Sequence, residues 1–226
     1  MIMLNQKKAI LIIGPVCSGK GTQAALLSQK FGFFHFMTSK IGQEYIKKRD
    51  DEETLKQMEF YKNGALWDPI WTLKMIKEKT KEIFENYSGI IYDGSPRTLY
   101  EAEGFYPFLS SLVEKENIKI IEMQTNIEET KKRLEKRLIC DKNSTHVFIN
   151  SEEFKEDTHC PNNDNGVLKK RDLDDPNIFK VRTEEYKNRT APVLNFLKSK
   201  HKVIEINGEQ TIEKVFDEIL NKLNLA

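Results

Sequence analysis

The stretch GPVCSGKGTQA, Gly14 to Ala24, is where the amino-acid types and their spacing first suggest chemistry. Gly14, Gly19 and Lys20 have the Gly-x-x-x-x-Gly-Lys spacing of a loop whose backbone N–H groups surround phosphate oxygens, with the lysine adding a cation. Cys17 and Ser18 fill the loop. Position 21, where a serine or threonine usually touches a magnesium ion, is Gly21, and the first hydroxyl after the lysine belongs to Thr22. The chemistry implied is handling of a nucleotide's phosphates without that hydroxyl.

Arginine is the second signal. Of 36 basic residues only seven are arginine, at positions 49, 97, 133, 137, 171, 182 and 189. In a chain that otherwise uses lysine, an arginine marks a place that needs a planar, bidentate fork. Five of the seven lie in three blocks: DGSPRT (93–98), KRLEKRL (132–138) and KKRDLDDPNIFKVRTEEY (169–186).

Short apolar runs must position these groups. AILIIG (9–14), FFHF (33–36), GIIYDG (89–94), IKIIEMQ (118–124) and KVIEING (202–208) read as strands that are apolar throughout, as in a parallel sheet buried on both faces. Amphipathic segments separate them, such as PIWTLKMIKEKTKEIFENY with apolar Ile70, Leu73, Ile76, Ile83 and Phe84. Asn126 with Glu129, and Asp175 with Pro176, read as helix starts. The alternation predicts an α/β fold, a parallel five-stranded sheet with helices on both faces. Two segments interrupt it. Residues 38–67 hold extra helical sequence, and residues 139–168 are polar, Asn-rich and irregular, the length of a functional lid.

The full string GPxxxGKGTQ resembles adenylate kinases and the related nucleoside monophosphate kinases, and the resemblance extends over nearly the whole chain. It accounts for Gly21, since in that family Thr22 carries the hydroxyl and magnesium is held largely through water and substrate phosphates. It implies a P-loop fold with core segments 1–37, 68–138 and 169–226, a monophosphate-binding flap at 38–67 and a lid at 139–168. Lys20, Arg97, Arg137, Arg171 and Arg182 would converge on phosphates, with Asp93 holding magnesium waters. ATP would contact Gly14, Cys17, Ser18, Gly19, Lys20, Gly21, Thr22 and Arg137, with Arg133 stacked on adenine and Gln210 beside it. The acceptor would contact Thr38, Gln43, Ala65, Leu66, Trp67, Gly94, Arg97, Glu101, Arg171 and Arg182. Cys17 reads as a small buried filler.

The pattern departs from the family at the acceptor side. Thr-Gly-Asp becomes Thr38-Ser39-Lys40, the phosphate-gripping arginine becomes Gln43 with Lys47 one turn on, and the adenine-reading glutamine becomes Glu101. AMP is the expected acceptor, with another monophosphate as the alternative, GMP first and then UMP or CMP; Glu101 favours GMP because a carboxylate only accepts hydrogen bonds. A catalytically weak nucleotide sensor is a further alternative. In the lid, the family's zinc spacing survives as Cys140, Asn143, Cys160 and Asn163. Two thiols remain, and His146, Asp157, His159 or Asp164 could supply other ligands. A lid held by hydrogen bonds is the competing reading.

Composition excludes other classes. A net charge of +1 does not drive nucleic-acid or membrane binding, and three cysteines far apart suit a reducing compartment. The expectation is a monomeric cytoplasmic enzyme whose partners are ATP and AMP, with Mg²⁺ and, in the lid, possible structural Zn²⁺.

Overall fold

The computed structural model describes residues 7–47, 49, 51–162 and 165–224. Strand β1 (Lys8–Ile13) leads through the glycine loop into helix α1 (Lys20–Phe31) and β2 (Phe34–Met37). Helices α2 (Thr38–Ile46), α3 (Glu52–Lys62) and α4 (Pro69–Ile83) follow, then β3 (Gly89–Asp93), α5 (Leu99–Ser110), β4 (Ile118–Gln124) and α6 (Ile127–Lys136). Three short strands, β5 (Arg137–Cys140), β6 (Val147–Ile149) and β7 (Leu168–Lys169), precede α7 (Pro176–Glu185) and α8 (Ala191–Lys200). Strand β8 (Val203–Asn207) and α9 (Ile212–Leu223) complete the described chain.

The five apolar runs form one parallel sheet in the order β2-β3-β1-β4-β8. Their continuous apolarity has a direct cause, because each face packs against helices. Ala9, Leu11 and Ile13 of β1 point to one side, where α4, α5 and α8 contribute Met75, Ile76, Phe105, Leu109, Val193 and Leu197. Ile10 and Ile12 point to the other, against Ala24 and Leu27 of α1 and Val215 and Ile219 of α9. Burying one such side chain contributes roughly 1.5–3 kcal/mol. Since β1 sits between β3 and β4, its carboxyl end opens at the point where strand order reverses, the usual ligand crevice of such sheets.

Both predicted helix starts form. Asn126 accepts a hydrogen bond from the Glu129 N–H at 2.8 Å, and Asp175 accepts from the N–H groups of Asn177 and Ile178. Two readings need correction. Ile70 does not join the buried face of α4. It lies two residues past the Asp68 cap and is 61 % exposed, while Trp71, Met75 and Thr80 are buried. Helix α6 ends at Lys136 and Arg137 begins β5. Residues 139–168 are not structureless either. Strands β6 and β7 flank β5 in an antiparallel sheet, and Leu138, Cys140, Cys160 and Leu168 make a small core of their own. Such short strands between Asn-rich turns carry little periodicity, which is why the sequence reads as irregular there.

Candidate active site

A cavity of about 1380 Å³ lies over the carboxyl ends of β1 and β3. The glycine loop forms its floor. The Lys20 ammonium donates to the carbonyls of Gly14 (2.8 Å) and Pro15 (2.6 Å) and to the Ser18 hydroxyl (3.4 Å), so its three donors are all used within the loop. Burial lowers its pKa to about 8, against the opposing pull of Asp93. Gly21 now has a local reason. A side chain there would place its Cβ 3.2 Å from the Asp93 carboxylate, tighter than ordinary packing. Asp93 ends β3 and lies 3.5 Å from the His35 imidazole. Burial alone would raise its pKa, but His35, Lys20 and Arg97 outweigh burial and keep the carboxyl below its usual value. Thr22 and Ser18 line the same floor.

Cys17 corrects the expectation of a buried filler. It is only half-buried, lines the cavity, and holds a left-handed backbone with φ of 60°. Burial pushes its thiol up in spite of Arg137, Arg182 and Lys20 nearby.

Above the floor, arginines from three elements meet. Arg137 forms a two-pronged pair with Asp174, through Nε at 2.8 Å and through its terminal nitrogen. Although burial works against it, that pair raises the Arg137 pKa. Arg182 donates to the Leu173 carbonyl at 3.0 Å and reaches the same Asp174 only at 3.7 Å. Burial, then repulsion from Arg171, Arg137 and Arg97, lowers its pKa to about 10. Arg97 is lowered by burial too, and its Nε donates to the Gly94 carbonyl at 2.7 Å. The carboxylates acting on this group, Asp174, Asp93 and Glu101, are fewer than its five cations, Lys20, Arg97, Arg137, Arg171 and Arg182, so the cluster favours an anion. Asp174, set between two of those arginines in the sequence, is a functional residue that the sequence reading passed over. Arg133 lines the cavity beside the loop, held by Glu129 at 2.7 Å. Gln210 lines the far rim.

Thr38, Gln43, Ala65, Leu66, Trp67, Gly94 and Glu101, the residues expected at the acceptor, line the cavity with Lys40 and Lys47. Gln43 spends one amide hydrogen on the Ser39 carbonyl and the other on the Tyr61 hydroxyl, both at 3.0 Å. The Arg171 guanidinium also donates to that hydroxyl, at 3.3 Å. Trp67 stacks on Tyr61 with centroids 5.9 Å apart, and its ring occupies the space a side chain at Gly42 would need. Glu101 is buried, and its two oxygens accept from the Arg97 N–H and the Thr98 hydroxyl, each at 2.9 Å. Burial pushes its carboxyl up. Its position therefore serves the start of α5 as well as the cavity, which the sequence reading did not foresee. Thr38 donates to the Asp93 carbonyl at 3.1 Å and pairs with Ser95 at 2.6 Å.

Cys140, His146 and Cys160 gather in the lid, their ligand atoms all within 4.8 Å of one another. His146 Nδ1 faces the Cys160 sulfur at 3.6 Å, and Nε2 faces the Asn143 amide nitrogen at 3.1 Å. Of the other suggested ligands, Asp157 and His159 are exposed outside this cluster, and Asn163 and Asp164 lie outside the described residues.

A family model described as adenylate kinase matches residues 12–202. The chain is 29 % identical over 215 residues to an adenylate kinase of Clostridium botulinum (strain Loch Maree / Type A3), covering 95 % of this chain and 97 % of that protein. It is 30 % identical over 216 residues to one of Hydrogenobaculum sp. (strain Y04AAS1), covering 95 % and 99 %. With one of Mycoplasmopsis pulmonis (strain UAB CTIP) it shares 28 % over 218 residues, covering 96 % and 99 %. With the phosphate loop, the arginine cluster and the five-stranded parallel sheet in place, this chain belongs to the adenylate kinase family.

Proposed function

We propose that the chain moves the γ-phosphoryl group of ATP to AMP, giving two molecules of ADP. The observation that carries this is the meeting of five cations, Lys20, Arg97, Arg137, Arg171 and Arg182, around one cavity, with Asp174 pairing only Arg137 and Arg182. Phosphoryl transfer asks little covalent work of a protein, which must align two nucleotides and spread positive charge over the moving group. The glycine loop, Thr22, Arg133 and Gln210 hold the donor. Arg97, Arg171 and Glu101 hold the acceptor, and the remaining arginines span the gap. Lys20 leaves its loop carbonyls when phosphate oxygens replace them. The segments 38–67 and 139–168 act as flap and lid, excluding the water that would otherwise take the phosphoryl group.

Asp93, held ionised beside Gly21 and Lys20, suits the waters of a magnesium ion, which prefers to keep its hydration shell. Asp93 would hold such an ion through its waters, and the ion would supply positive charge to the ATP phosphates. The lid cluster fits zinc through two thiols and an imidazole, a donor set that zinc favours. Elemental analysis of metal-replete protein checks this, with about one zinc per chain expected and under about 0.2 favouring a hydrogen-bonded lid.

GMP is the second reading, favoured by Glu101. An ionised carboxylate matches the paired donors of guanine better than adenine N1. A coupled assay of ATP with each monophosphate tests both. AMP is expected to give the highest kcat/KM, and tenfold better use of GMP would overturn that choice.

A further inference from the structure

The acceptor side poses a question of donors. Gln43 stands where the family places an arginine, yet it has nothing left to offer a phosphate. One amide hydrogen goes to the Ser39 carbonyl and the other to Tyr61 Oη. Turning the amide over would set its oxygen against the Ser39 carbonyl oxygen, so this orientation is fixed.

Tyr61 is differently placed. Its hydroxyl oxygen accepts twice, from Gln43 Nε2 at 3.0 Å and from an Arg171 nitrogen at 3.3 Å. A phenol oxygen has two lone pairs and one hydrogen. With both lone pairs engaged, the hydrogen must point elsewhere, and Tyr61 lines the cavity that Arg171, Arg97 and Lys40 also line. The ring is held at both ends. It closes α3, it stacks on Trp67 at an interplanar angle of 28°, and the turn after it packs Gly64 against Ile178 and Arg182. An anion gripped by Arg171 would sit beside this O–H, because the two groups are already hydrogen-bonded neighbours.

We propose that Tyr61 binds the phosphate of the monophosphate acceptor through its O–H, supplying the donor that Gln43 cannot. Gln43 and Arg171 aim that donor by occupying the oxygen's lone pairs. The inference rests on the monophosphate kinase reading. It adds that this chain grips its acceptor partly through a neutral hydroxyl, which costs less to desolvate than a cation when the site is empty.

Tyr61→Phe keeps the ring and its stacking and removes only the hydroxyl. Binding should be measured by titration of wild type and variant with AMP and adenosine, with GMP and guanosine, and with ATP. The expected result is about tenfold weaker binding of the monophosphate that the wild type turns over best, in the range of a hydrogen bond to a charged group. Affinity for its nucleoside and for ATP should stay unchanged. Equal weakening of monophosphate and nucleoside would overturn the proposal, showing that Tyr61 shapes the base pocket or latches the flap. An unchanged monophosphate affinity would overturn it as well. The coupled assay on the wild type stands apart from these outcomes. A chain that phosphorylates no monophosphate defeats the kinase reading, whereas an active wild type with an indifferent Tyr61→Phe defeats only this inference.

Discussion

The floor proposed for the donor and the wall proposed for the acceptor are built by different means. At the floor, the proposed phosphate site is made of backbone N–H groups, a helix start and one lysine, and the side chains there are small. Gly21 cannot gain a side chain without crowding Asp93. At the acceptor wall, the work falls to side chains that hold one another: Gln43 on Tyr61, Tyr61 on Arg171, Glu101 on Arg97 and Thr98. Backbone sites tolerate little change because their geometry is the chain itself. Side-chain networks can be rebuilt by changing partners together. That contrast explains why this sequence keeps the family string at the loop yet departs from it at positions 39, 40, 43 and 101.

The contrast can be broken hardest at Lys20. Lys20→Met should lower kcat by about 10²–10³, since one lost charge on a developing anion typically costs roughly 2.7–4 kcal/mol. Retention of a tenth of the turnover would remove Lys20 from its role. The same variant should melt no lower at pH 7. The folded pKa of Lys20, about 8, lies below its ordinary 10.5. The unfolded chain therefore binds the extra proton between these values, so stability contributed at this site rises with pH across that window. Below pH 8 the buried ammonium is a cost, which methionine relieves.

At the acceptor wall, Gly42→Ala should strike packing instead of charge. The added methyl would lie 2.0 Å from the Trp67 ring, and overpacking of this kind costs about 1–3 kcal/mol. Thermal melting should show the loss, and the KM for the monophosphate should rise more than that for ATP. Equal rises in both would mean that the two sides are not separable.

A titration sharpens the comparison further. Lys20 binds phosphate only when charged, so ATP affinity should fall as pH climbs past about 8, approaching tenfold per pH unit. Calorimetry in two buffers of different ionisation enthalpy should detect a proton taken up with ATP near pH 8.5, and none in Lys20→Met. Monophosphate affinity should follow pH less steeply, because arginines and a phenol dominate there.

The smallest expected effect is at Glu101. Gln can accept from the Arg97 N–H and donate to the Thr98 hydroxyl, so Glu101→Gln should leave melting nearly unchanged. It should improve kcat/KM for AMP about fivefold, roughly 1 kcal/mol, by removing an acceptor-only group from the adenine side. A reversed preference, from GMP to AMP, would assign the wild type to GMP.

The strands were legible because a buried parallel strand must be apolar along its whole length, and five such runs stand out against a polar chain. The loop was legible because backbone phosphate binding demands glycine at fixed spacing. The arginines stood out through their scarcity. What stayed hidden depended on partners distant in sequence. Nothing local to Glu101 says that its carboxylate is satisfied by residues 97 and 98, or that Ile70 turns outward beyond its cap. The lid strands are too short to show a period, and His146 joins Cys140 and Cys160 only because β5 and β6 pair. Asp174 and Tyr61 read as ordinary surface residues until folding sets one beneath two arginines and the other between Gln43 and Arg171. Local sequence determines periodicity, glycine spacing and caps, because these act over a few residues. Which polar groups satisfy each other, and which are left facing the cavity, is decided only when distant segments pack and water leaves.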